Sequence, residues 1–175
     1  MEIERITLAE YYKLEDTSNY DFAMKFAHQF TIPENIFKVP DLEELEFGFI
    51  KNAQLNIVRG DMNYYLELFH ELTGLNPFNL YLDEFTRQLH YIKREFEKLS
   101  EKESKLLISP PSEKEQRAGL ERFDGLGAYM QERELANNDI TKLEAIRKTK
   151  YKYCFVELYT RKQERDFNKA YSKLK

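Results

Sequence analysis

The sequence predicts an all-α fold, an irregular bundle of about six to eight helices at ordinary helix lengths. A single domain covers residues 1–175, with a hinge expected at 109–112. Three observations lead there. Six glycines and five prolines in 175 residues leave little room for the tight turns of an all-β chain. Glu, Lys and Leu, which lose little rotamer freedom in a helix, are plentiful. The apolar residues recur at steps of three and four, which lines up one face of a helix, and not at the steps of two that mark a strand. The aromatic content, 14% with no Trp, excludes a disordered chain.

The elements follow in order. Thr7 and Glu10 have the spacing of a capping box and open a short helix ending near Leu14. After the polar turn 15–19, Ser18 or Asn19 caps a second helix carrying Phe22, Phe26 and Phe30. Pro33 and Pro40 bracket a non-helical connector. Asp41 caps a third helix with Leu42, Leu45, Phe49 and Ala53 on one side, weakened by Gly48 and ended at Arg59-Gly60-Asp61. A fourth runs from Asp61 to Thr73 with Tyr65, Leu68 and Leu72 at helical spacing, and Gly74 stands where a left-handed cap belongs.

Asn76-Pro77 begins the first long helix, expected over 78–107, with Leu82, Phe85, Leu89, Ile92, Phe96 and Leu99 as its buried stripe. The polar stretch from Lys98 to Lys105 is expected to project into solvent or against a partner. Pro110-Pro111 is the clearest break, and Ser112 with Glu115 forms a second capping box for a helix through Ala118 and Phe123. Gly125 and Gly127 punctuate it. Asn137-Asn138-Asp139 caps a short helix to Arg147, and a long helix at 150–174 carries Phe155, Leu158, Phe167, Ala170, Tyr171 and Leu174 on one side. No internal repeat is evident in the sequence.

Charge is unevenly spread around a net value of −4. Acidic residues outnumber basic ones eleven to four from Met1 to Glu46, and basic outnumber acidic ten to three from Arg147 to Lys175. Cys154 is the single cysteine, so an intramolecular disulfide is impossible and a reducing compartment is expected. The first residues lack a signal peptide's apolar stretch, and no apolar run approaches the roughly 20 residues of a membrane span. A cytoplasmic location with no membrane partner is the expectation.

Catalytic and metal-binding patterns are present only in part. Glu67 and His70 have di-iron spacing, but Lys25 precedes His28 and Arg87 precedes His90 where a second Glu is required. His70-Glu71 begins a zinc-protease pattern that Gly74 interrupts. Cys154 lies among Tyr153, Phe155 and Val156 without a His nearby in sequence. Gly125-Leu126-Gly127 lacks the third Gly and the preceding strand of a dinucleotide loop. Pairs such as Glu43-Glu44 suit a solvated face. The expectation is a protein that is not an enzyme, with no catalytic residues, no metal and no cofactor.

The terminal helix is the patch with a functional reading. Lys148, Lys150, Lys152, Arg161, Lys162 and Arg165 alternate with Tyr151, Tyr153 and Tyr159, a pattern that suits a phosphate backbone with stacked bases. The same residues also suit an ordinary helix with one packed and one solvated face. A third reading pairs the basic end of one copy with the acidic end of the next, as in rings and filaments. Charge placement selects Tyr11, Tyr12, Lys152, Arg161, Lys162 and Arg165 as interface residues.

The stretch Ala118-Gly119-Leu120-Glu121-Arg122-Phe123, then Leu126-Gly127, Leu135-Ala136 and Asn138-Asp139-Ile140-Thr141-Lys142, resembles small proteins from the structural modules of tailed bacteriophages. The following pattern of Tyr151, Phe155, Leu158, Phe167 and Tyr171 is similar too, so the likeness covers about the last third of the chain. Those proteins are helical and include tail-assembly chaperones and neck, or head–tail, components. The resemblance implies a virion assembly or structural role in a bacterial host, through contacts with copies of itself in a ring or with other virion proteins. Nucleic-acid binding by a helical regulatory protein is the alternative.

Overall fold

The computed structural model describes residues 5–21, 36–111, 113–123 and 125–174. Among these the chain forms eight α-helices, a further helical turn at 18–21 and four short 3-10 turns, with no strand, an all-α fold. The helices are α1 (Leu8–Tyr11), α2 (Phe47–Arg59), α3 (Met62–Thr73), α4 (Leu82–Leu107), α5 (Glu113–Arg117), α6 (Gly127–Leu135), α7 (Leu143–Lys148) and α8 (Tyr151–Ser172). Two compact units are built from interleaved segments: Met1–Pro40 with Ala53–Lys98, and Asp41–Asn52 with Leu99–Lys175. Residues 108–111, in the region of the expected hinge, are non-helical chain between α4 and α5.

In the first unit the capping box forms as its spacing requires. The Thr7 backbone N–H donates to Glu10 Oε2 at 2.7 Å, and the Glu10 N–H donates to Thr7 Oγ1 at 3.2 Å. α1 stops at Tyr11, and residues 18–21 are helical; Phe22, Phe26, Phe30 and Pro33 lie outside the described residues. α3 has both predicted ends: Asp61 accepts from the Asn63 N–H at 2.9 Å, and Gly74 adopts φ +71 with its N–H on the His70 carbonyl at 2.8 Å. Tyr65, Leu68, Phe69 and Leu72 of α3 are buried, as are Phe85, Leu89, Ile92 and Phe96 of α4. Phe69 stacks at a tilt on Phe85, with 5.1 Å between ring centroids. Gln88 is fully buried and accepts the Phe37 N–H at 2.9 Å, satisfying an amide of the connector that would otherwise be costly to bury.

The predicted stripe of α4 is buried along its whole length, from Leu82 to Leu99. Its start is corrected: the helix begins at Leu82, four residues after Phe78. Asn76 and Pro77 do initiate helical structure, but only a 3-10 turn over Pro77–Asn79. Leu80 and Leu82 then turn their backbone toward the first helix. The Leu8 N–H donates to the Leu80 carbonyl and the Leu82 N–H to the Ile6 carbonyl, each at 2.9 Å.

The second unit contains the same device. The expected third helix is divided in two. Asp41 caps a 3-10 turn at Leu42–Glu44, and α2 starts only at Phe47. Between them the Phe47 N–H donates to the Thr149 carbonyl and the Tyr151 N–H to the Leu45 carbonyl, each at 2.8 Å. The division shifts the buried face of α2 to Phe47, Ile50 and Ala53, while Leu45 and Phe49 are half-buried. Asp41–Phe47 and Asn76–Leu82 therefore match position by position: an Asx cap, a 3-10 turn, a Leu, a bridging residue and a helix start. The side chain of Asp41 accepts the Glu43 N–H and that of Asn76 the Phe78 N–H, both at 3.0 Å. Six of the seven paired residues differ in type, which hides this short repeat from sequence inspection.

The far end of α4 is exposed at Lys98, Ser100, Glu101, Ser104 and Lys105, as expected, but only on one side. Leu99 is buried, and Lys102 and Glu103 turn toward neighbours in the second unit. Residues 113–123, expected as one helix, divide at Gly119, whose φ of +84 ends α5 and leaves a 3-10 turn at Leu120–Phe123. Ser112 lies outside the described residues. Asn137 and Asn138 both take positive φ, and Asp139 caps the turn leading into α7.

Candidate interaction surface

The final helix, α8, is held by its inner face. Tyr151, Cys154, Phe155 and Leu158 are buried, with Phe47 stacked on Tyr151 and Tyr151 stacked on Phe155. Tyr151 is completely enclosed, and its hydroxyl donates to Glu103 Oε1 at 2.7 Å. The other Glu103 oxygen holds the Lys51 ammonium, which also faces the Phe47 ring at 5.4 Å. Lys51 is only 7% exposed and the Glu103 side chain 12%. Burial pushes the Lys51 ammonium below its ordinary value, against the opposing pull of Glu103, and pushes the Tyr151 phenol up. Burial also pushes the Cys154 thiol up to about 11. A thiol held protonated and enclosed is a poor nucleophile.

Charged residues tie the flanks of α8 to the same unit. Glu44 receives both Lys150, at 2.9 Å, and Lys152, and its carboxyl is held below the usual range by Lys152 first and Lys150 second. Arg147 makes a two-pronged pair with Glu132 at 3.0 and 2.8 Å. Arg161 donates to Glu157 at 2.6 Å and to the Glu134 carbonyl, Lys162 pairs with Asp166 at 3.0 Å, and Arg165 pairs with Glu134. Every basic residue that charge placement selected thus has an acidic partner within the chain. Tyr11 is half-buried, its hydroxyl donating to Asp21 at 2.6 Å, whereas Tyr12 is exposed and packs edge-on against Phe78 at 5.8 Å. These two tyrosines belong to the first unit and the four cations to the second.

The outer face of α8 carries what charge placement missed. At about 100° per residue, Leu158 and Phe167 stand nine residues and about 180° apart. The single stripe expected from Phe155 to Leu174 is therefore two stripes on opposite faces, and this corrects the sequence reading. Phe155 and Leu158 face inward; Phe167, Ala170, Tyr171 and Leu174 are exposed. Tyr153, Val156, Thr160 and Gln163 continue the outer stripe toward the helix start, and all are exposed. Tyr153 and Val156 are each 60% exposed, Phe167 67% and Leu174 85%. The signal was available, because 153, 156, 160, 163, 167, 170 and 174 alternate steps of three and four without a break.

No family matches. Neither a protein-family model, nor a curated protein, nor a solved structure is similar to this chain.

Other candidate chemistry resolves into local structure. His70 sits in the last turn of α3 with Nδ1 at 2.9 Å from the Leu75 carbonyl, an arrangement that makes Nδ1 the donor and fixes the chain beyond Gly74. Among the described residues no group of three or more His, Cys, Asp or Glu side chains is placed to hold a metal ion. Among them, too, no helix is long and apolar enough to cross a membrane.

Proposed function

We propose that this chain is a non-enzymatic assembly or structural protein of a tailed bacteriophage, acting through protein–protein contacts made by the outer face of α8. The single observation that carries the interaction reading is that face: exposed Tyr153, Val156, Phe167 and Tyr171 on a helix whose opposite side, at Tyr151, Cys154, Phe155 and Leu158, is already buried. Exposed apolar side chains gathered on one helix face mark association sites in proteins that otherwise keep such groups inside. Support for the phage context comes from the resemblance over Ala118–Leu174. That context implies action in the cytoplasm of a bacterial host, in a neck or head–tail structure, inside the virion, or as a tail-assembly chaperone.

The nucleic-acid alternative draws on the basic residues of α8. Their pairing with Glu44, Glu134, Glu157 and Asp166 reduces the uncompensated positive charge available to phosphates. The protein-contact reading needs no such charge.

The test is photocrosslinking from Phe167, replaced by a benzophenone amino acid, in host cells producing particles. Crosslinks to a portal, neck, tail or internal virion subunit are expected, and Phe167→Asp in the untagged protein should reduce particle yield. Absence of the chain from particles and assembly intermediates, with no crosslink to their subunits, would overturn the phage assignment.

A further inference from the structure

We draw no further inference here: the strongest candidate, the enclosed side-chain cluster of Lys51, Glu103 and Tyr151 in the second unit, pairs its charges and its hydroxyl internally, so nothing there points to a ligand.

Discussion

Replacing Glu103 by Gln isolates the most consequential polar contact of the second unit. Glu103 binds two groups at once, the Lys51 ammonium and the Tyr151 hydroxyl, with both charged side chains nearly enclosed. Glutamine keeps the volume and still accepts from Tyr151, but it cannot neutralise Lys51. Removing one member of a buried ion pair costs about 3–5 kcal/mol, because the remaining charge is stranded in a poor solvent. The cost should depend on pH, and its sign follows from Lys51. Burial already holds that ammonium below the 10.5 of an unfolded lysine, and Glu103 pulls the other way. Without Glu103 the folded value falls further. The unfolded chain then binds more protons than the folded one over a wider range, and within it stability rises with pH.

The deficit of Glu103→Gln relative to the parent should therefore shrink between pH 7 and pH 9. Urea unfolding followed by circular dichroism, with Cys154 labelling as a probe local to this unit, measures it. The double change Lys51→Met with Glu103→Leu should restore stability to within about 1 kcal/mol of the parent or better, since a packed apolar pair avoids desolvation. A loss below about 1 kcal/mol at pH 7, or a deficit that grows with pH, would refute the reasoning.

Three further outcomes are expected. Gly48→Ala should lower stability by about 1–3 kcal/mol through overpacking, despite a gain of about 1 kcal/mol in helix propensity. The added Cβ would stand 2.9 Å from Arg147 Cβ and 3.3 Å from the Arg147 carbonyl oxygen, on a residue fixed by Glu132; a melting temperature equal to or above the parent's would contradict this. Tyr151 has a folded value raised above 10, so the stability it contributes is complete below pH 10 and lost as pH rises past it. Tyr151→Phe should flatten the decline between pH 10 and 11 while costing about 1 kcal/mol at pH 7, and identical alkaline slopes for the two proteins would rule that out. Cys154 should react with a thiol reagent at pH 8 at least a hundredfold more slowly in the native chain than in urea, because the thiol is enclosed and protonated; labelling at the unfolded rate would disprove it.

Sequence patterning reveals helices whose ends are set locally. Thr7 with Glu10, the caps at Asp61 and Gly74, and the stripe from Leu82 to Leu99 all work through residues two to four apart, within reach of inspection. The divided third helix and the late start of α4 are not visible that way, because each is decided by backbone bonds to a segment about seventy or a hundred residues distant. The exposed apolar face of α8 escaped the charge-based reading for a different reason. Charge drew attention to Lys152, Arg161, Lys162 and Arg165, yet cations on a helix flank are commonly taken up by nearby carboxylates, as these are. The apolar outer stripe was legible in principle, but at 3.6 residues per turn Phe155 and Phe167 cannot share a face.

The reciprocal backbone bonds at the helix starts bear on how the chain acquires its structure. α2 and α8 begin with N–H groups satisfied by each other's leading strand of chain, from Leu45 to Tyr151, and no side-chain cap is formed at Lys150. The carbonyls that complete these starts arrive only when a loop of about a hundred residues closes, a step whose entropic cost grows slowly with length but precedes any reward. α3 carries its own caps and can nucleate early; α2 and α8 cannot draw on such local help. Folding of the second unit should accordingly be gated by the meeting of Glu46 with Lys150, and a chain still emerging from the ribosome would hold the start of α2 unfinished until Thr149 and Lys150 had been released.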